Sequence, residues 1–209
     1  MASSLLSNLC VCGVVLALAL AGGAQEAGSE KQELVLDSKR LAFNGQTNLF
    51  EAETPRIRQG DLSIAADQAV ATSIEFDESS EWRFVGNVRI EVGTAVIEAD
   101  SAVFIFADEQ LSRGELEGAP ASFSDVAPTT QPRVTGRAQK MSYDNVARIL
   151  RMTGDVRMQK NKTEMQGCDI IYEFETEEIR AGSADCEDGF RIRVVPDSDE
   201  RAATPDAPQ

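Results

Sequence analysis

No histidine occurs among the 209 residues. The commonest metal ligand is therefore missing, and so is the side chain whose charge changes near neutral pH. Tryptophan occurs once and tyrosine twice. Basic side chains number 20 against 35 acidic ones, giving a formal charge of −15. Such a balance excludes nucleic acid and an anionic membrane surface as the principal docking partner. The chain also lacks a G-x-S-x-G elbow, a phosphate-cradling glycine loop and a metal-spaced Cys/His cluster. The acidic pairs Asp77/Glu78, Asp108/Glu109 and Glu177/Glu178 fall in expected turns and read as solvated. Asn161-Lys162-Thr163 matches a glycosylation sequon, a pattern frequent by chance. Nothing here carries a reaction or calls for a cofactor, and the chain reads as a non-enzyme.

The first residues stand apart. Leu5 to Ala21 carries no charge, and the small residues Gly22-Gly23-Ala24 precede Gln25. Residues 1–24 therefore read as a secretory signal peptide, although no Lys or Arg precedes the apolar run. The competing reading is a retained anchor, since a run of roughly 20 residues is long enough to span a bilayer. Residues 25–33 read as a flexible leader. Residues 196–209 read as a disordered acidic tail with further prolines. One domain is expected over 34–195.

What the chain does have is an internal copy. Phe84-Val85-Gly86-Asn87-Val88-Arg89-Ile90-Glu91 returns 68 residues later as Met152-Thr153-Gly154-Asp155-Val156-Arg157-Met158-Gln159. At the same offset the segment starting at Ile97 lies over the one starting at Met165. A shorter echo sets Ile64-Ala65-Ala66-Asp67 over Ile97-Glu98-Ala99-Asp100. Such a period marks stacked units, each unable to bury its apolar face alone. Between 34 and 195 the apolar residues alternate with period 2, with Gly and Asp/Asn recurring at roughly ten-residue spacing. An all-β domain of short antiparallel strands follows.

Alternation also sorts the side chains by face. Leu150, Met152, Val156 and Met158 point one way, and Arg151, Asp155, Arg157 and Gln159 the other. The first copy chooses the same phase, with Phe84, Val88 and Ile90 inward and Arg83, Asn87, Arg89 and Glu91 outward. The pattern alone leaves two readings open, a packed core and an apolar groove facing a ligand. The recurrent Asp67, Asp100 and Asp169 occupy equivalent positions and read as a structural device of the repeat.

Cys168 and Cys186 are the only cysteines beyond residues 1–24. They flank an expected hairpin turned at Glu175-Thr176-Glu177-Glu178, and an oxidising compartment would join them. Pairing Phe174 with Ile179 and Tyr172 with Ala181 sets Cys168 opposite Asp185, so a bulge near Gly182 or Ser183 is needed to bring Cys186 round.

Six elements in order resemble the OstA-like family, above all its LptA-type branch. They are Gly86-Asn87-Val88, Ile97-x-Ala99-Asp100, Gly118-Ala119-Pro120-Ala121-Ser122-Phe123, Gly136-x-Ala138-x-x-Met141-x-Tyr143, Leu150-x-Met152-Thr153-Gly154-Asp155-Val156 and Gly167-x-x-Ile170-x-Tyr172. The resemblance covers residues 60–196 and leaves 34–59 as an added unit, in which Leu41-x-Phe43 and Leu49-Phe50 echo Met141-x-Tyr143 and Ile149-Leu150. It implies an open, V-shaped β-jellyroll whose interior holds the acyl chains of lipopolysaccharide in the periplasm. It makes Leu62, Ile64, Phe123, Met141 and Tyr143 lining residues, with Val88, Ile90, Met158 and Tyr172 on the same alternating faces. The implied partners are LptC-like and LptD-like export components, with self-association through edge strands such as Phe190–Val195. A membrane-anchored LptC-like relative and a secreted structural β protein without ligand are the rival readings. With its charge of −15 and an anionic lipid, the chain is expected to grip tails rather than head groups.

Overall fold

Alternation over ten or more residues favours strands, and a mid-strand bulge, where two residues oppose one, bends the paired strands. The computed structural model is built on that combination. It describes residues 32–73, 75–76, 80–126, 133–182, 186 and 189–194. The expected leader peptide, most of the flexible leader and the acidic tail lie outside the described residues.

In chain order the strands begin with β1 (Val35–Asp37), β2 (Arg40–Asn44), β3 (Leu49–Glu53) and β4 (Arg56–Gln59). Next come β5 (Leu62–Ala65), β6 (Gln68–Ala71), β7 (Glu81–Val92), β8 (Ala95–Ala107) and β9 (Gln110–Val126). The series closes with β10 (Arg133–Asp144), β11 (Ile149–Lys160), β12 (Thr163–Glu173), β13 (Ile179–Ala181) and β14 (Arg191–Val194). All pairings are antiparallel.

The pairing pattern reduces these strands to a meander of bent ones. β5 pairs with the second half of β7 and β6 with its first half. β4 and β3 continue that split outward, and β1 and β2 end it. At the other end β12 pairs β13 along Ile170–Tyr172 and β14 along Thr163–Gln166. Each long strand from β7 to β12 thus contributes one half to a first sheet, ordered β1-β4-β5-β7-β8-β9-β10-β11-β12-β14. Its other half joins a second sheet, ordered β2-β3-β6-β7-β8-β9-β10-β11-β12-β13. The result is an all-β, open antiparallel jellyroll, unclosed at both ends.

The bends form a seam, and the repeated residues sit on it. Register shifts fall between Val85 and Val88 and between Thr153 and Val156, the two copies of the Gly-Asn/Asp pair. Gly86 and Asn87 take φ of 79° and 48°, Gly154 and Asp155 φ of 75° and 42°. Positive φ is open to glycine and tolerated by Asn and Asp, which accounts for those residue types. The recurrent aspartates secure the same seam. Asp67 accepts from Asn87 Nδ2 at 2.8 Å, and Asp100 accepts from the Ala119 amide at 3.0 Å. Asp169, nearly fully buried, takes both arms of Arg151 at 3.0 and 2.6 Å.

Both copies keep the expected phase. In β11 the buried residues are Leu150, Met152, Val156 and Met158; in β7 they include Phe84, Val88 and Ile90. The hairpin β12–β13 differs from expectation. Tyr172 faces Ile179 rather than Ala181, and Ile170 takes Ala181. The turn keeps four residues but starts one earlier, at Phe174, with the Glu173 amide donating to the Glu178 carbonyl at 3.0 Å and Glu177 at φ 55°. A slip of two preserves the faces, so alternation could not detect it. Cys168 and Cys186 are bridged, with Cα atoms 5.8 Å apart. The strand ends at Ala181, and Gly182, at φ 93°, turns the chain away before Cys186.

Candidate functional site

Inward residues of both sheets meet in one apolar interior. Leu62 and Ile64 on β5, Val88 and Ile90 on β7, Phe123 on β9 and Met158 on β11 come from the first sheet. Met141 and Tyr143 on β10 and Tyr172 on β12 come from the second. The structure gathers all nine into the same buried cluster. Ile64 is the direct cross-strand neighbour of Ile90, and Phe123 packs on Tyr172 across the sheets at 5.2 Å between ring centres. Met141 opposes Met152 and Met158 opposes Met165.

The interior is not sealed at its ends. Leu41 and Phe43 on β2 lie opposite the buried Ala52 and Phe50 and share their inner face, yet they are 51% and 52% exposed. On β14, Ile192 opposes the buried Met165, and Val194 lies two residues on along the same face. They are 60% and 65% exposed. The copy of the Met141-x-Tyr143 element at Leu41-x-Phe43 is therefore present but uncovered, because among the described residues no strand lies beyond β2. The same is true of β14.

Opposite the seam, the turns of the two sheets meet along a margin held by polar groups. Gln59 Nε2 donates to the Glu109 carbonyl at 2.7 Å. Arg148 lies 3.9 Å from Asp61, donates to the Tyr143 hydroxyl at 3.1 Å and stands 6.0 Å from the centre of the Phe174 ring. Asp125, buried, accepts from Thr94 Oγ1 at 2.7 Å and from the Tyr172 hydroxyl at 3.0 Å. Lys160 Nζ donates to the Glu177 carbonyl at 3.3 Å. Burial pushes the Tyr143 hydroxyl up to about 12, against the pull of Arg148. Burial, with the Asp125 charge behind it, raises Tyr172 as well. Both phenols are therefore neutral hydrogen-bonding groups at neutral pH.

Sequence reasoning passed over part of this interior. Phe50, Phe76, Trp82, Phe84, Phe104 and Phe106 form an aromatic cluster around the β3, β7 and β8 halves of the second sheet. Its signal was available in the period-2 pairs Trp82/Phe84 and Phe104/Phe106. Asp125 gave no local signal, since its partners Thr94 and Tyr172 are 31 and 47 residues distant, and the reach of Arg148 to Asp61 is likewise non-local. The outer face is polar. Arg157, outward as expected, is exposed beside Asp155 at 3.8 Å. Of the acidic pairs, Asp108/Glu109 and Glu177/Glu178 lie in or beside turns, and Asp77/Glu78 lies outside the described residues.

Comparison with known proteins agrees with this geometry. The crystal structure of LptH, the LptA homologous periplasmic component of the lipopolysaccharide transport device from Pseudomonas aeruginosa, superposes with a TM-score of 0.51. The match covers 79% of this chain and 96% of that one, at 9% identity, so the likeness is one of fold. No curated protein matches the sequence. A family model described as LptA/(LptD N-terminal domain) LPS transport protein matches residues 68–178, which run from β6 to the β12–β13 turn and include both copies of the Gly-Asn/Asp bend. The chain belongs to that family of lipopolysaccharide transport proteins, the OstA-like proteins.

Proposed function

We propose that this chain is a periplasmic lipopolysaccharide-binding component that carries acyl chains between its two sheets. In this reading it joins end to end with further copies and with LptC-like and LptD-like export components, bridging inner- and outer-membrane complexes. One observation carries it: the apolar inner face runs out to solvent at both unclosed ends, through Leu41 and Phe43 on one and Ile192 and Val194 on the other. A stacked-repeat protein that works alone ends in polar caps. Apolar ends with unpaired backbone groups instead favour another strand in continuation. The family supports the cargo, and the relative's description as a periplasmic component supports the location. With a charge of −15, the chain would hold its anionic lipid by the tails.

The second reading, a structural β protein without ligand, is favoured by the complete enclosure of Ile64 and Tyr143. Photo-crosslinking groups at those two positions separate the readings. Lipopolysaccharide adducts at Ile64 and Tyr143 but not at Arg157 are expected. Folded protein that gives no adduct at any inward position, with lipid present, would leave the structural reading standing.

A further inference from the structure

Trp82 is the only tryptophan in the chain, and it is 0% exposed. It sits on the inner face of β7, stacked on Phe76 at 4.6 Å, with Phe50 at 5.1 Å and Phe84 and Phe106 each at 6.3 Å. Its indole Nε1–H has no acceptor. Among the described residues it is the single buried side-chain donor or acceptor without a partner. The other polar groups of the interior are matched: Tyr143 with Asn145 and Arg148, Tyr172 with Asp125, and Asn145 with the Leu111 carbonyl. A buried donor left unmade is costly, and native interiors rarely leave one.

We propose that this N–H is the donor that holds the cargo, giving its hydrogen bond to the carbonyl oxygen at the head of an ester- or amide-linked acyl chain. The inference rests on the functional reading above and adds to it a specific atom and a ligand chemistry. The surroundings select among acceptors. A buried water needs two to four polar partners, and the phenyl rings around Trp82 add none to its own N–H. A sugar would bring donors of its own into an aromatic enclosure that offers no acceptor. An acyl carbonyl is a pure acceptor attached to an apolar body, so it satisfies the indole and adds no unmet group. Phe76, only partly buried and carried outside the strands, is the wall able to yield as such a chain enters.

Because the tryptophan is unique, a global exchange changes this site alone. Benzothienylalanine replaces the indole N–H with sulfur at nearly constant shape, and Trp82→Phe removes the N–H by ordinary mutagenesis. Binding of purified lipid A and of dodecyl maltoside, whose alkyl tail carries no carbonyl, is measured by calorimetry for each form. Loss of one hydrogen bond should weaken lipid A about tenfold, equivalent to ~1.4 kcal/mol, and leave the maltoside unchanged. The benzothienyl protein without ligand should melt higher than the parent, since its orphan donor is gone. Unchanged lipid A affinity would overturn the inference and leave the functional reading intact. Equal weakening of both ligands would also overturn it, showing that shape and not the N–H matters. Failure of the parent protein to bind lipid A at all would end both.

Discussion

Gly86→Ala tests the seam on which both sheets depend. Gly86 has φ of 79°, where an added Cβ costs about 1–2 kcal/mol. That Cβ would also stand 2.5 Å from Asp67 Oδ2 and 3.1 Å from Asp67 Cγ, so the carboxylate must swing away. Swinging it breaks the 2.8 Å bond from Asn87, a further loss of ~1 kcal/mol. The expected total is about 2–3 kcal/mol, which at a urea slope of ~2 kcal/mol/M lowers the midpoint by roughly 1–1.5 M. Gly93→Ala is the control. Its φ is 58°, but the nearest atom is 3.6 Å away, so only the backbone cost of about 1–2 kcal/mol remains. Urea unfolding followed by Trp82 fluorescence reads both, since that ring is buried on the same strand. In an Asp67→Ala background Gly86→Ala should become milder by ~1 kcal/mol, the coupling between the two residues. If Gly86→Ala costs no more than Gly93→Ala, or if the coupling falls below about 0.3 kcal/mol, the aspartate does not secure the bend as argued.

Three further outcomes are expected. Both tyrosines are held above their ordinary range, Tyr143 at about 12, so the unfolded chain loses its phenol protons first and stability present below pH 10 drains away as pH rises through the folded values. Phenolate absorbance should then stay low past the normal tyrosine range and rise together with unfolding; two simple titrations near 10 would refute it. Reducing Cys168–Cys186, which closes a separation of 18 residues, should cost about 3 kcal/mol in the chain-entropy model, checked by thiol counting under denaturing conditions and by melting with and without reductant. Ile192→Glu with Val194→Glu, on side chains already exposed, should leave the melting point nearly unchanged and remove concentration-dependent association in sedimentation; oligomers that persist would exclude β14 as the joint.

Alternation is a local property, and it read correctly through both copies: Leu150, Met152, Val156 and Met158 keep one parity through the bend, whereas on β8 the buried residues change parity between Ala99 and Ala102. The bend itself was visible as Gly86-Asn87 and Gly154-Asp155, but not its consequence. That each strand from β7 to β12 serves two sheets depends on where β5 and β6 pair with β7, a relation between segments about 20 residues apart. The β12–β13 register slipped by two because nothing in an apolar pattern distinguishes Ile179 from Ala181 opposite Tyr172. The reach of Lys160 to Glu177 and of Arg148 to Asp61 arises from the folding of the sheet on itself, which no single segment encodes.

If acyl chains lie between the sheets, the room for them must come from the margin opposite the seam. Along the seam the backbone of β7 to β12 runs unbroken from one sheet to the other, so separation there would break main-chain pairing. Along the margin the ties are few and polar. The Arg148–Asp61 pair at 3.9 Å has Asp61 largely in solvent, and such pairs contribute about 0–1 kcal/mol. Behind these ties the two sheets meet through apolar contact, and that contact is replaceable. A hydrocarbon chain entering between Met141, Met152, Met158 and Met165 would exchange side-chain contacts for chain contacts while keeping the same surfaces out of water. All methionines other than Met1 fall in these two facing pairs, where an unbranched, polarizable side chain adapts to an irregular partner. An acyl-bearing interior would then be reached from the filled one by parting the margin, with the seam as the hinge.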